Sequence, residues 1–258
     1  FELETHTLYI LASPLLWYGV IELLKKHGIT DLVLLLYHQP MSIKSYFRDG
    51  SDFGVNITYI TPLEDYGTAG AVKAAAQHLD EPFLIISGDL LTDFDLSQLI
   101  DFHKNNNARA TMTLTRVADP LQFGVVITDS DNKVTKFLEK PGWGEVFSDT
   151  INTGIYLLDP EVLELIPEEE NRDWSKDIFP MMLDQGMDLY GCLLEGYWQD
   201  IGNPQAYLEA CRDVLTEKVH LELEEKREPR NDCRLHMGHD TLLEPPDRVQ
   251  GTIVIGEH

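Results

Sequence analysis

The segment "DLVLLLY" at 31–37 is apolar at nearly every position, and so is "FLIIS" at 83–87. A strand without polar–apolar alternation needs cover on both faces, and a sheet flanked by helices on its two sides supplies it. The neighbouring text provides those helices. "PLLWYGVIELLKKHGI" places Leu16, Val20, Leu23 and Leu24 at helical spacing and stops at Gly28. "PMSIKSYFRDG" reads as a helix ending at Gly50, "VNITYIT" as a strand, and "GTAGAVKAAAQHL" as a helix with a glycine-rich start. "DLSQLIDFHKNNN" follows with Asp95 as its N-cap. Residues 14–106 therefore alternate helix and strand, the pattern of a parallel sheet covered on both faces.

The rhythm then changes. "ARATMTLTR", "FGVVITD", "KVTKFLEK" and "TINTGIYLLD" read as strands with few helices between them, and "SDN" at 130–132 as a hairpin turn. "WSKDIFPMMLDQG" reads as a helix with an internal proline and "MDLYGCLLEG" as a strand. "NPQAYLEACRDVL" reads as a helix capped by Asn203 with Pro204 at its first position. The expected fold class is α/β, with a Rossmann-like mixed, mostly parallel sheet between helices. The composition turns polar beyond Val219, so 220–250 is expected to be a linker. "GTIVIGEH" at 251–258 has a short β-branched run.

Charge narrows the partners. With 44 acidic against 20 basic residues the net charge is −24, which argues against nucleic acid, whose phosphates call for clustered Lys and Arg. Three dispersed cysteines, Cys192, Cys211 and Cys233, read as thiols of a reducing compartment. No apolar run approaches the about 18 residues of a membrane span. A cytoplasmic protein with no membrane partner is expected.

Three stretches carry candidate chemistry. In "FLIISGDLLTD" a strand ends on Gly88 and Asp89, and ligands of open parallel sheets bind at the carboxyl ends of strands. A carboxylate there suits Mg²⁺, which takes one or two carboxylates plus substrate phosphates. Asp200 in "GYWQDIG" is the candidate partner, also at a strand end. In "YGTAGAV" the helix start around Gly67 and Thr68 offers free N–H groups, although it is neither a Walker loop nor the dinucleotide fingerprint. In "KFLEKPGWGEVFSDTINTGIY" Lys140 beside Glu139 is a point charge for a phosphate, and Asn152 and Thr153 offer groups suited to sugar hydroxyls. The plainer readings are a turn aspartate, a packing glycine and a surface ion pair. Cys233, His236, His239 and Asp240 are zinc-type ligands without the usual paired spacing. The four tryptophans, Trp17, Trp143, Trp174 and Trp198, read as packing residues rather than a cofactor box, with Trp143 and Trp198 flanking the candidate pocket.

Taken in order, "HGITDLVLLL", "YGTAGAV", "FLIISGDLLTD", "FGVVITD", "FLEKPGWGEVFSDTINTGIY", "WSKDIFP" and "GYWQDIGNPQAYLEA" resemble the sugar-1-phosphate nucleotidyltransferases over residues 14–216. The likeness is greatest to bacterial mannose-1-phosphate guanylyltransferases. The resemblance implies that Asp89 and Asp200 bind Mg²⁺ and, with Lys140, serve catalysis. It implies that Gly67 and Thr68 hold the base with Gly88 near the ribose. It further implies that Gly124, Glu139, Lys140, Asn152 and Thr153 line the sugar-phosphate pocket. The implied substrates are a nucleoside triphosphate and a sugar 1-phosphate, with GTP and mannose 1-phosphate the leading pair and a glucose-1-phosphate nucleotidyltransferase the alternative.

Two features of the family remain as expectations. Its opening strand and G-G-x-G-T-R-L phosphate loop are not found in "FELETHTLYILAS"; counting back from Pro14, the family's lysine falls near Thr5 and the loop before residue 1. The chain is expected to be a nucleotidyltransferase domain over 1–219 whose first strand and loop are missing because the sequence is an incomplete piece, since a true loss would leave an interior strand unpaired and almost no activity. The alternative is a non-catalytic, regulatory subunit that binds nucleotide-sugars. "GTIVIGEH" resembles the first turn of the left-handed β-helix that often follows such domains, which makes a homo-oligomer a reasonable expectation.

Overall fold

The computed structural model describes residues 17–37, 40–142, 144–146 and 148–220, and the backbone at 226–230, 233–237 and 251–255. The chain divides into two compact units, Phe1–Ala210 and Cys211–His258.

In the first unit, helix α1 covers residues 17–26 and stops where the sequence puts its glycine. Gly28 has φ +76. Its N–H donates to Lys25 O at 2.9 Å, and the Ile29 N–H to Leu24 O at 3.0 Å, the paired bonds of a Schellman cap. Strands β1 (Asp31–Leu35) and β2 (Asn56–Ile60) pair in parallel around helix α2 (Pro40–Phe47). Helix α3 (Gly67–Ala74) leads through a short 3₁₀ turn to β3 (Phe83–Ile86). Then come β4 (Leu90–Thr92) and helix α4 (Leu96–Asn105), whose N-cap Asp95 accepts from Ser97 N at 3.0 Å.

Next come β5 (Ala110–Arg116), β6 (Gly124–Thr128), β7 (Val134–Glu139) and β8 (Thr150–Leu158). The predicted helix at 174–186 begins as one π-helical turn, Trp174–Ile178, and continues as α5 (Phe179–Asp184). Pro180 lies in the first turn of α5, where its missing N–H is tolerated. Strand β9 (Leu189–Leu193), strand β10 (Trp198–Asp200) and helix α6 (Pro204–Leu215) follow. Asn203 Oδ1 accepts from Ala206 N at 2.9 Å, as its N-cap assignment requires.

The six-stranded sheet runs β7-β6-β8-β5-β9, with β3 also on β8. It is mixed. β5 and β9 are parallel, whereas β8 is antiparallel to β3, β5 and β6. Helices cover both faces, and the alternation of side chains along the strands shows how. Leu84, Ile86, Ile155 and Leu157 join Ile21, Leu24 and Leu99 in one core. Phe83, Ile85, Tyr156 and Leu158 join Val72, Phe179 and Met182 in the other. Successive residues of β3 and β8 thus feed opposite layers, so their apolar runs lack alternation. Each large apolar side chain buried this way contributes about 1.5–3 kcal/mol. β1 pairs with β2 and β3 with β8; among the described residues the other edge of each carries no strand, and residues of both line one cavity.

The second unit departs from the linker expected over 220–250. Strand β11 (Lys226–Arg230) is antiparallel to β12 (Cys233–Met237), which is parallel to β13 (Gly251–Ile255). Backbone pairing does not depend on an apolar composition, so the polar text gave no strand signal. The side chains of Cys233 and His236, and residues His239 and Asp240, lie outside the described residues.

Leu99 has no exposed surface and Leu208 is 60 % exposed. Leu99→Ala should cost about 2–5 kcal/mol in urea unfolding, and Leu208→Ala no more than about 0.5 kcal/mol.

Candidate active site

The cavity, about 1270 Å³, is lined at the carboxyl ends of β1 and β3 by Gly88, Asp89, Lys140 and Asp200, among others. Asp89 follows β3 directly. Asp200 ends β10, which pairs antiparallel with β4 in the register Asp200↔Leu90. Ile201 N donates to Asp89 O at 2.9 Å and closes the connection. Two acids far apart in sequence thereby become neighbours. Burial pushes the Asp89 carboxyl above its ordinary value, and burial together with the Asp89 charge does the same to Asp200. Lys140 partly offsets the rise at Asp200.

The same lysine acts on Glu139, whose carboxyl is raised by burial and lowered in turn by Lys140. Lys140 therefore acts by its charge on both Asp200 and Glu139. Its backbone is left-handed, with φ +44, a conformation uncommon outside glycine and concentrated at functional sites. Gly124 pairs with Glu139 across β6 and β7. A Cβ on Gly124 would meet Glu139 Oε2 at 2.7 Å, so glycine leaves room for that carboxylate.

Asn152 and Thr153 part company. The ladder of β8 against β5 shifts register between Met112 and Leu114, opposite Gly154 at φ +79. This bulge directs neighbouring groups differently. Asn152 Nδ2 donates to Tyr156 Oη at 2.9 Å and to Ser175 Oγ at 3.2 Å, while its Oδ1 accepts from Gly154 N at 3.0 Å. Burial pushes the Tyr156 phenol up to about 12, so it stays neutral. Thr153 is 1 % exposed and its hydroxyl donates to Thr113 O at 2.9 Å, inside the protein. Its hydroxyl is thus taken up by a protein carbonyl, while the residue still lines the cavity. Its carbonyl accepts from Trp198 Nε1 at 3.0 Å.

The candidate nucleotide residues are also held by protein. Thr68 Oγ1 donates to Asp173 Oδ2 at 3.0 Å and accepts from Trp174 N at 3.1 Å. The space beside Gly67 is taken by Arg172 O, which a Cβ would meet at 2.6 Å. Gly88 is covered by the Trp17 indole, 2.6 Å from the position of a Cβ. Gly88 was expected to admit a ligand; the neighbour found there is a tryptophan.

Sequence reasoning missed Asp173 and read Trp198 as a packing residue flanking the pocket. Asp173 joins the Gly67–Thr68 turn to the segment carrying Ser175, and its Oδ1 accepts from Ser175 N and Lys176 N. An aspartate ahead of "WSKDIFP" carries an N-cap signal that could have singled it out. Trp198 packs edge-on against Phe123 with centroids 5.1 Å apart and ties β10 to β8. Trp143 lies outside the described residues.

The donor set fits a hard divalent cation. Two adjacent carboxylates held above their ordinary values gain most from a positive charge, and two is the number of protein ligands Mg²⁺ commonly takes beside phosphate. Among the described residues no cluster of three or more His, Cys, Asp or Glu forms a metal cage.

A carboxyl raised on folding favours the native state below its unfolded value, and that benefit is lost as pH rises through the folded value. Asp89→Asn should therefore raise the Tm at pH 7, with the gain shrinking as pH falls toward 3.8. Mg²⁺ should raise the Tm of the parent protein and leave that of Asp89→Asn unchanged. Thr153→Val should cost about 1–3 kcal/mol of stability by leaving the Thr113 carbonyl without its donor. Ligand binding by that variant should stay within about twofold, as measured by calorimetry.

Comparison with known proteins gives the site its setting. The family model described as nucleotidyl transferase matches residues 2–217. The chain is 35 % identical over 224 residues to a UTP–glucose-1-phosphate uridylyltransferase of Synechocystis, covering 81 % of this chain and 58 % of that protein. It is 34 % identical over 238 residues to a mannose-1-phosphate guanyltransferase of Debaryomyces hansenii, covering 89 % of this chain and 63 % of the relative. It thus spans about six-tenths of the length of these relatives. A crystal structure from Bacillus anthracis, named for glucose-1-phosphate thymidylyltransferase and holding sucrose, superposes with a TM-score of 0.69. That pair is 27 % identical, covering 80 % of this chain and 83 % of the other. The chain belongs to the nucleotidyl transferase family.

Proposed function

We propose that this protein transfers a nucleotidyl group from a nucleoside triphosphate to a sugar 1-phosphate, with GTP and mannose 1-phosphate giving GDP-mannose and pyrophosphate as the leading pair. The observation that carries the reading is the convergence of Asp89 and Asp200 beside Lys140, on the same cavity as Gly124, Glu139 and Asn152. The named relatives that act on mannose 1-phosphate favour that sugar, and the Synechocystis uridylyltransferase keeps glucose 1-phosphate as the alternative.

In this reading the backbone around Gly67 and Thr68 receives the base, with Gly88 toward the ribose. Lys140 draws in the phosphate of the sugar 1-phosphate. Glu139, framed by Gly124, and the oriented amide of Asn152 accept sugar hydroxyls, while Thr153 contributes its backbone. A phosphate oxygen of the sugar 1-phosphate attacks the α-phosphorus, and the bond to the pyrophosphate oxygen breaks as the new one forms. Asp89 and Asp200 would hold Mg²⁺, which when bound neutralises charge on the phosphates. Beyond that, these residues work by position and charge, with no covalent intermediate on the protein.

The parallel pairing of β13 with β12 suits a first rung of a left-handed β-helix, and with it a homo-oligomer. Cys192 and Cys211 are free thiols, in keeping with a cytoplasmic setting. No described helix is long and apolar enough to cross a membrane.

The test is pyrophosphate release with Mg²⁺, four nucleoside triphosphates, and mannose or glucose 1-phosphate. Release should require one pair, fall about 10²–10³-fold in Lys140→Ala and vanish in Asp200→Ala. Release with every pair alike would refute selectivity. No release with tight nucleotide-sugar binding would point to the regulatory subunit instead.

A further inference from the structure

The strands carrying Asp89 and Asp200 meet over only three residue pairs, Trp198↔Thr92, Gln199↔Leu91 and Asp200↔Leu90. So short a ladder does little to define its own register, and a slip of one residue would turn Asp200 to the opposite face. Something else has to hold it.

The far end of the ladder is gripped through the backbone of one residue, Tyr197. Its N–H donates to Asp93 Oδ1 at 2.6 Å. Its carbonyl accepts from Thr92 Oγ1 at 2.7 Å and from Asp93 N at 3.3 Å. Thr92 is itself buried and its hydroxyl also accepts from Phe94 N, so the grip is anchored where α4 begins. Gly196 delivers the chain into it at φ +141, and a Cβ there would stand 2.8 Å from Asp93 Oδ1. The short bond from Tyr197 N–H to Asp93 fixes a backbone position three residues before Asp200.

We infer that Asp93 is a positioning residue whose carboxylate, by accepting the Tyr197 N–H, sets the register that brings Asp200 beside Asp89. The consequence for metal binding rests on the reading of those two aspartates given above; the register itself does not. Asp93 touches no substrate in this scheme. Its effect passes along the β10 backbone through Tyr197, Trp198 and Gln199.

The experiment compares the parent protein with Asp93→Ala, Asp93→Asn, Thr92→Val and Asp200→Ala. Mn²⁺ binding is followed by electron paramagnetic resonance without turnover, and exchange of the Ile201 amide by NMR. Asp93→Ala should weaken Mn²⁺ binding about tenfold, the low end for loss of a group supporting a metal ligand, and speed Ile201 exchange. Asp93→Asn keeps an acceptor oxygen and should stay within about twofold of the parent, a rescue that a role through charge alone would not give. Thr92→Val should move both readouts in the same direction by less, and it decides the matter should Asp93→Ala not fold. Parent-like behaviour of Asp93→Ala in both readouts overturns the inference, as does Asp93→Asn failing as badly as Asp93→Ala. If the parent binds Mn²⁺ no better than Asp200→Ala, the metal reading is what fails, and Ile201 exchange alone judges the register.

Discussion

Strand β8 is paired along both edges, and most of the molecule is arranged around that fact. β5 runs along one edge; β3 and then β6 take the other. A strand so enclosed can place its side chains only above or below the sheet, so Ile155 and Leu157 feed one core while Tyr156 and Leu158 feed the second. The ladder of β8 against β5 breaks opposite Gly154, next to Asn152 and Thr153. Asn152 is turned toward Tyr156 and Ser175, and the Thr153 carbonyl is left to receive Trp198 from the neighbouring strand.

Electrostatics then sets the character of the cavity. Burying Asp89, Asp200 and Glu139 disfavours their charged forms; Lys140 relieves Asp200 and, with Lys176, Glu139. A protein of net charge −24 thus keeps a lysine beside these buried carboxylates, held on a left-handed backbone. Local arrangement, not total charge, decides whether an acidic protein can receive an anion. The raised carboxyls are a standing cost to the fold, the kind of local conflict found where function opposes stability.

The remaining parts of the site are welded together by groups that a one-dimensional reading passes over. Asp173 caps the π-helical turn and holds Thr68, so the glycine-rich turn and the Asn152–Ser175 pair share one support. Trp17 fills the space beside Gly88, and Arg172 that beside Gly67. Glycines that read as openings for a ligand are also where two parts of the protein touch, since a missing Cβ serves either purpose.

Local signals were legible because local chemistry produces them. Gly28 ends α1, Asp95 and Asn203 cap their helices, and the unbroken apolar runs announced strands covered on both sides. Asp89 and Asp200 stood out as acids at strand ends, and the order of motifs named the family. Only the tertiary structure decided which side of β8 Asn152 and Thr153 serve, because a bulge depends on the register between strands. It alone set Asp89 beside Asp200, through a ladder between segments distant in the chain. It also paired the polar stretches at 226–230 and 233–237 as strands. Caps and apolar periodicity act over a few residues and are written in the sequence, whereas register and the meeting of remote carboxylates arise only when the whole sheet closes.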